Sequence, residues 1–104
     1  MIEIGRFDFK GVMLIAYEAE YVNNKSTAVT TYSEEEEPYG KLSVNLPADL
    51  GLPKGTFVAK TFGGEAELCK WAIKSDLFED TGEVVEYETE FDTYILPVWR
   101  IKRT

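Results

Sequence analysis

Residues 14–32 read LIAYEAEYVNNKSTAVTTY, and this stretch decides the fold class. Over residues 14–22 apolar and polar positions alternate with period two, the repeat of a strand whose side chains point to opposite faces. The alternation predicts Ile15, Tyr17, Ala19 and Tyr21 on one face, with Ala16, Glu18 and Glu20 on the other. Asn23-Asn24-Lys25 then supplies a turn, because asparagine tolerates left-handed backbone angles. Residues 27–32 are rich in β-branched side chains and read as the partner strand. A hairpin is therefore expected at the centre of the first half of the chain.

The same period recurs outward from this hairpin. Residues 39–46 alternate, with Leu42, Val44 and Leu46 expected inward and Lys41, Ser43 and Asn45 outward. Residues 3–10 alternate weakly and suggest an edge strand before the three-strand meander. The run 46–55 is a loop punctuated by Pro47, Pro53 and Gly55, and 56–61 a short strand. Gly63-Gly64 precedes the one helical pattern. Across residues 65–77, Ala66, Cys69, Ala72, Ile73 and Leu77 share a helical face with Leu68 at its edge. An acidic connector over 78–82 leads to a strand over 84–91, with Val85, Tyr87, Thr89 and Phe91 on one face and Glu86, Glu88 and Glu90 on the other. Residues 94–101 form a last strand before a basic tail. These patterns predict one α+β domain spanning residues 1–104. Its antiparallel, meander-like β-sheet has about five to seven strands, with one α-helix over 65–77 packed on one face.

Composition agrees with a packed chain. Its 104 residues are 44% hydrophobic and include 14 Phe, Trp and Tyr, enough for a core without disulfide or metal staples. The longest uncharged apolar run, 11–17, falls far short of the ~20 residues a membrane helix needs. The opening MIEIGRFDFK has acids where a signal peptide has basic and apolar regions, and Cys69 is the single cysteine. A cytoplasmic location is the expectation, since a lone thiol suits a reducing compartment.

Nineteen acidic against eleven basic residues give a net charge of −8, and residues 76–92 alone hold eight acids and no base. Direct binding to nucleic acid or an anionic membrane is not expected, because phosphate contacts need clustered lysine and arginine. A negative field of this kind serves solubility or a basic partner.

Known catalytic arrangements are missing from the sequence. Without histidine there is no Ser–His–acid or Cys–His unit and no imidazole metal ligand. No phosphate-cradling glycine loop occurs, and Gly63-Gly64 reads as a strand-to-helix turn. Cys69 falls on the apolar face of the helix, where a thiol is packed and inert. The acids are too abundant for any carboxylate pair to signal a glycosidase, and SEEEEPYG (residues 33–40) lacks the spacing of a calcium loop. No catalytic residue, cofactor or metal site is expected.

What remains are binding candidates. Glu34, Glu35, Glu36 and Glu37 read mainly as the solvated tip between two strands, since Pro38 bars Glu37 from helical angles. Glu18, Glu20, Glu86, Glu88 and Glu90 sit at strand positions expected to face solvent. Trp71 lies roughly opposite the helix's apolar stripe, a half-exposed anchor or a cover for a sheet edge, whereas Trp99 reads as core.

Three segments carry a family resemblance: YVNNKSTAV (21–29), EPYGKLSVNLP (37–47) and TYILPVWRI (93–101). The chain resembles the family known as domain of unknown function 4313, small acidic proteins of bacteria, often carried by plasmids, integrated elements and phages. Its Tyr-x-Asn-Asn turn matches Tyr21, Asn23 and Asn24. Its Pro-Tyr and Val-Asn-Leu-Pro match Pro38, Tyr39, Val44, Asn45, Leu46 and Pro47, and its Pro-Val pair matches Pro97 and Val98. The resemblance implies no catalytic residues.

These observations make the leading expectation a non-enzymatic binding protein that docks an acidic sheet face on a basic protein surface, such as a nucleic-acid-handling host complex. An anti-CRISPR or anti-restriction inhibitor acting as a nucleic-acid mimic is one form. The competing expectation is a domain that binds a small molecule or peptide in a groove beside the helix, its acidity serving solubility. A free sheet edge also leaves a homodimer open.

Overall fold

The computed structural model describes residues 1–46 and 50–102. Among the described residues, seven antiparallel strands and one α-helix follow the chain in the order β1 (Ile2–Phe9), β2 (Val12–Glu20), β3 (Thr27–Ser33), β4 (Pro38–Lys41), β5 (Thr56–Val58), α1 (Ala66–Lys74), β6 (Phe78–Glu88) and β7 (Thr93–Ile101). A 3-10 turn, Gly63–Glu65, leads into α1. The fold is α+β, as the alternation predicts. The strands form two sheets, a meander β1-β2-β3-β4 and a smaller sheet β5-β7-β6.

Residues 42–44 join the two sheets. Leu42 N–H donates to Val29 O at 2.9 Å on one side, while Val44 N–H donates to Val58 O and Lys60 N–H to Leu42 O on the other. This explains a departure from the expected strand 39–46. The β4 ladder to β3 ends at Lys41, and the chain then exchanges partners, with Ser43 bridging Ala59. A segment with neighbours on both sides and on both faces buries Leu42 and Ser43 alike, so Ser43 points inward despite its polar character. Its hydroxyl accepts the Val29 N–H at 2.9 Å and lies 2.7 Å from the Tyr21 hydroxyl, which satisfies the buried groups. Pro47, Ala48 and Asp49 of the expected loop, and Arg103 of the basic tail, lie outside the described residues.

The principal core lies between the sheets and α1. It holds Leu14, Val29 and Leu42 from the meander side, Phe57, Phe78 and Trp99 from the smaller sheet, and Leu68, Cys69 and Ala72 from the helix. The three aromatic rings meet at 5.6–6.1 Å between centroids. A second apolar cluster, Leu46, Val58, Leu96 and Val98, covers the opposite face of the smaller sheet.

Helix α1 packs on both β1 and β6, one outer strand from each sheet. Just past the helix, Leu77 packs on β1 at Gly5, where a Cβ would stand 2.6 Å from a Leu77 methyl carbon. The helix is shorter than the predicted 65–77. Asp76 adopts a left-handed backbone (φ +72°), and the Ser75 N–H turns back to Ala72 O. A left-handed residue after the last turn stops an α-helix.

The hairpin at 14–32 forms as expected, with Leu14 opposite Ser33 and Glu20 opposite Thr27. The inward face of β2 is the reverse of the prediction. Leu14 and Ala16 enter the principal core, and Glu18 shares their face at 8% exposure. Period two fixes which residues share a face, not which face turns inward. Both faces of β2 carry cover here, since Tyr17 on the other face packs edge-on against Tyr32 at 5.6 Å.

Candidate functional site: the acidic β6–β7 hairpin

Residues 78–82, expected as a connector, belong to β6. Phe78 pairs with Ile101, Glu79 with Arg100 and Asp80 with Trp99 before the ladder slips at a bulge and resumes with Val84 opposite Pro97. The bulge is built locally. Asp80 accepts the Gly82 N–H at 2.9 Å, and the Thr81 hydroxyl accepts the Glu83 N–H while donating to Val98 O. An Asp-Thr-Gly turn signature thus appears inside a strand, where it makes a bulge without ending the ladder.

Beyond the bulge the hairpin carries Glu86 opposite Ile95 and Glu88 opposite Thr93, both glutamates exposed. Glu90 does not continue the row. It sits in the turn closed by Thr89 N–H to Asp92 O at 2.8 Å, because β6 ends at Glu88. Phe91 leaves the expected inward face with it and is 89% exposed. The β7 face that carries Trp99 and Ile101 into the core carries Ile95 past the core's edge. Ile95 and Val84 are therefore 62% and 63% exposed. The hairpin face is thus mixed: Val84 and Ile95 lie among Glu86 and Glu88. Composition hid this, because isolated apolar residues in an alternating strand read as core.

The other candidates disperse. Glu18 is buried, so it is not part of an acidic face. Glu20 is exposed at the end of β2, away from the hairpin, where it lines a cavity with Lys25 and Lys54. Trp71 takes the sheet-edge position, one of its two expected readings. It is half-buried against the core and meets the Phe9 ring edge-on at 6.0 Å, covering β1. Residues 34–37 form the β3–β4 turn, with Glu36 in left-handed backbone (φ +65°) and its N–H on Ser33 O. Glu34 faces Arg6 at 3.5 Å, and Glu35, Glu36 and Glu37 are exposed.

No family model, curated protein or solved structure matches this chain.

The site is therefore read from its own chemistry. Among the described residues no group of three or more His, Cys, Asp or Glu is placed to hold a metal ion. No helix among them is long and apolar enough to cross a membrane. A cavity of about 430 Å³ opens between the β2–β3 turn and β5, lined by Asn24, Leu46, Leu52, Lys54 and Val58 among others. It lies away from α1, not in a groove beside the helix. Several polar groups on its wall are committed internally: Asn24 holds Leu46 O and Ser26, and Thr56 holds Pro53 O.

Cys69, the one candidate nucleophile, is 1% exposed, and its thiol donates to Lys60 O at 3.2 Å. Burial first, and then the Glu65 carboxylate, push the thiol up to about 12, while Lys60 pulls weakly the other way. In the folded protein Cys69 should resist alkylation between pH 7 and 9, and it should react at once in denaturant. A folded-state value above the ordinary 9.0 adds stability that is intact below that pH and lost as pH rises toward about 12. Alkylation followed by mass spectrometry checks the first result, and denaturant melts across alkaline pH check the second.

Proposed function

We propose that this chain is a non-enzymatic binding protein of the bacterial cytoplasm whose β6–β7 hairpin docks on a basic protein surface. The observation that carries this reading is the mixed face beyond the core, where Val84 and Ile95 are exposed beside Glu86 and Glu88. Apolar side chains bury area on association, and surrounding charges steer and select the partner. An inhibitor of a CRISPR or restriction complex is one form of this function. Glu86 and Glu88 recur about 7 Å apart along the strand, about the axial rise of two nucleotides in a nucleic-acid duplex. A setting on a plasmid, integrated element or phage is part of this proposal and rests only on the motif resemblance of residues 21–29, 37–47 and 93–101 to domain of unknown function 4313, which no family model match supports.

A second reading, a small-molecule- or peptide-binding domain, draws its support from the cavity beside Lys54. Salt separates the two. Capture of a host protein should succeed at about 0.1 M salt and fail at about 0.5 M, because exposed charges are screened within ~10 Å. The triple variant Glu86→Lys, Glu88→Lys, Glu90→Lys should keep its melting temperature within a few degrees and lose the captured protein. Equal capture at both salt concentrations, or by the variant, rejects the acidic-docking reading.

A further inference from the structure

β6 is one of the two outer strands of its sheet, and among the described residues it pairs with β7 alone. An outer strand turns every second backbone N–H and C=O away from its neighbour, toward whatever can pair with it. The two ends of this edge differ. At its start Phe78 lies in the core with α1, and the bulge turns residues 81–83 out of the ladder. From Val84 to Glu88 the pairing with β7 is regular, leaving an uninterrupted edge of five residues, about 17 Å long.

The two faces of this edge have different chemistry. Val84, Glu86 and Glu88 alternate onto one. Val85 and Tyr87 alternate onto the other, where Phe62 stacks on Tyr94 at 4.5 Å and meets Tyr87 at 5.8 Å. Tyr87 is half-buried, so part of its surface is left for a further contact.

We propose that the edge over residues 84–88 accepts an extended partner segment as an added strand, and that this segment alternates lysine or arginine with apolar or aromatic residues. The proposal rests on the acidic-docking reading and specifies its chemistry. Strand addition takes affinity from main-chain hydrogen bonds and specificity from alternate side chains. Basic residues of the added strand fall opposite Glu86 and Glu88, and the intervening residues extend the shelf of Val85 and Tyr87. A second copy of this chain is the poorer occupant, because pairing the two full 84–88 edges antiparallel sets Glu86 against Glu86 and offers Glu88 no basic partner.

The test uses the full chain and synthetic peptides. One alternates lysine with valine and tyrosine over seven residues, and the other has the same composition in blocks. The alternating peptide should bind about tenfold more tightly and slow amide exchange within residues 84–88. N-methylation of one set of alternate peptide residues should abolish binding, and methylation of the other set should leave it. Equal affinity for both peptides, unchanged exchange at 84–88, or a dimer of the free chain through β6 overturns strand addition. In those cases the host-protein capture still decides the acidic-docking reading separately, since the salt and charge-reversal results do not depend on backbone pairing.

Discussion

Trp99→Ala should cost the fold about 3–5 kcal/mol, the range for emptying a buried aromatic site. Trp99 is 3% exposed and meets both Phe57 and Phe78, so its removal opens the principal core where the smaller sheet faces the meander. Domains of this size hold about 5–15 kcal/mol in total. The melting temperature should fall by roughly 12–40 °C at about 4–8 °C per kcal/mol, followed by circular dichroism. Trp71→Ala provides the internal comparison. Its ring is half-buried and covers Phe9 from outside, so the loss should be less than half as large. If Trp71 proved the costlier residue, the placement of the core would be wrong.

Ser43→Ala should be the most damaging single-atom deletion. The Ser43 hydroxyl accepts the Val29 N–H and shares a hydrogen bond with the Tyr21 hydroxyl, at the segment where the two sheets join. Deleting it strands a buried backbone donor, which costs about 1–3 kcal/mol. Tyr21→Phe removes only the outer member, and Tyr21 keeps a packed ring, so about 1 kcal/mol is expected. Because the groups form one network, the double variant should lose less than the sum of the singles, with a coupling of about 0.5 kcal/mol or more. Urea melts of the four proteins measure this, and strict additivity would show that the hydroxyls act independently. Burial also raises the Tyr21 phenol above its ordinary value, partly offset by the Ser43 hydrogen bond and by Lys60.

The strands with strong alternation were legible in the sequence, and their surroundings were not. The hairpin of β2 and β3, the SEEEEP turn and β7 follow from local pattern, but the left-handed residues of the two turns are Lys25 (φ +58°) and Glu36 (φ +65°), not the asparagines that the turn chemistry pointed to. Which face of β2 turns inward depends on what lies opposite, and the elements opposite Ala16 come from the second half of the chain. Residues 42–44 misled the period-two reading because they pair on both sides and are covered on both faces. At the hairpin, Glu86 and Glu88 were legible as exposed positions, since charged residues opposite an apolar set rarely turn inward. The exposure of Val84, Phe91 and Ile95 was not. It depends on how far the hairpin runs past the core, a length that no local pattern encodes.

The position of α1 against an outer strand of each sheet has a consequence for the time course of folding. Strands β1 to β4 pair with their neighbours along the chain, and β6 pairs with β7 across a four-residue turn. Such contacts close small loops and form early, whereas joining the two ends of the chain closes a large one. The helix is thus expected to dock late, after the meander and the hairpin exist as separate pieces. Substitutions at Leu68 and Ala72 would then mainly speed unfolding and leave the refolding rate nearly unchanged, while substitutions within the β2–β3 hairpin slow refolding. The helix would act as a latch that sets how long the native state persists.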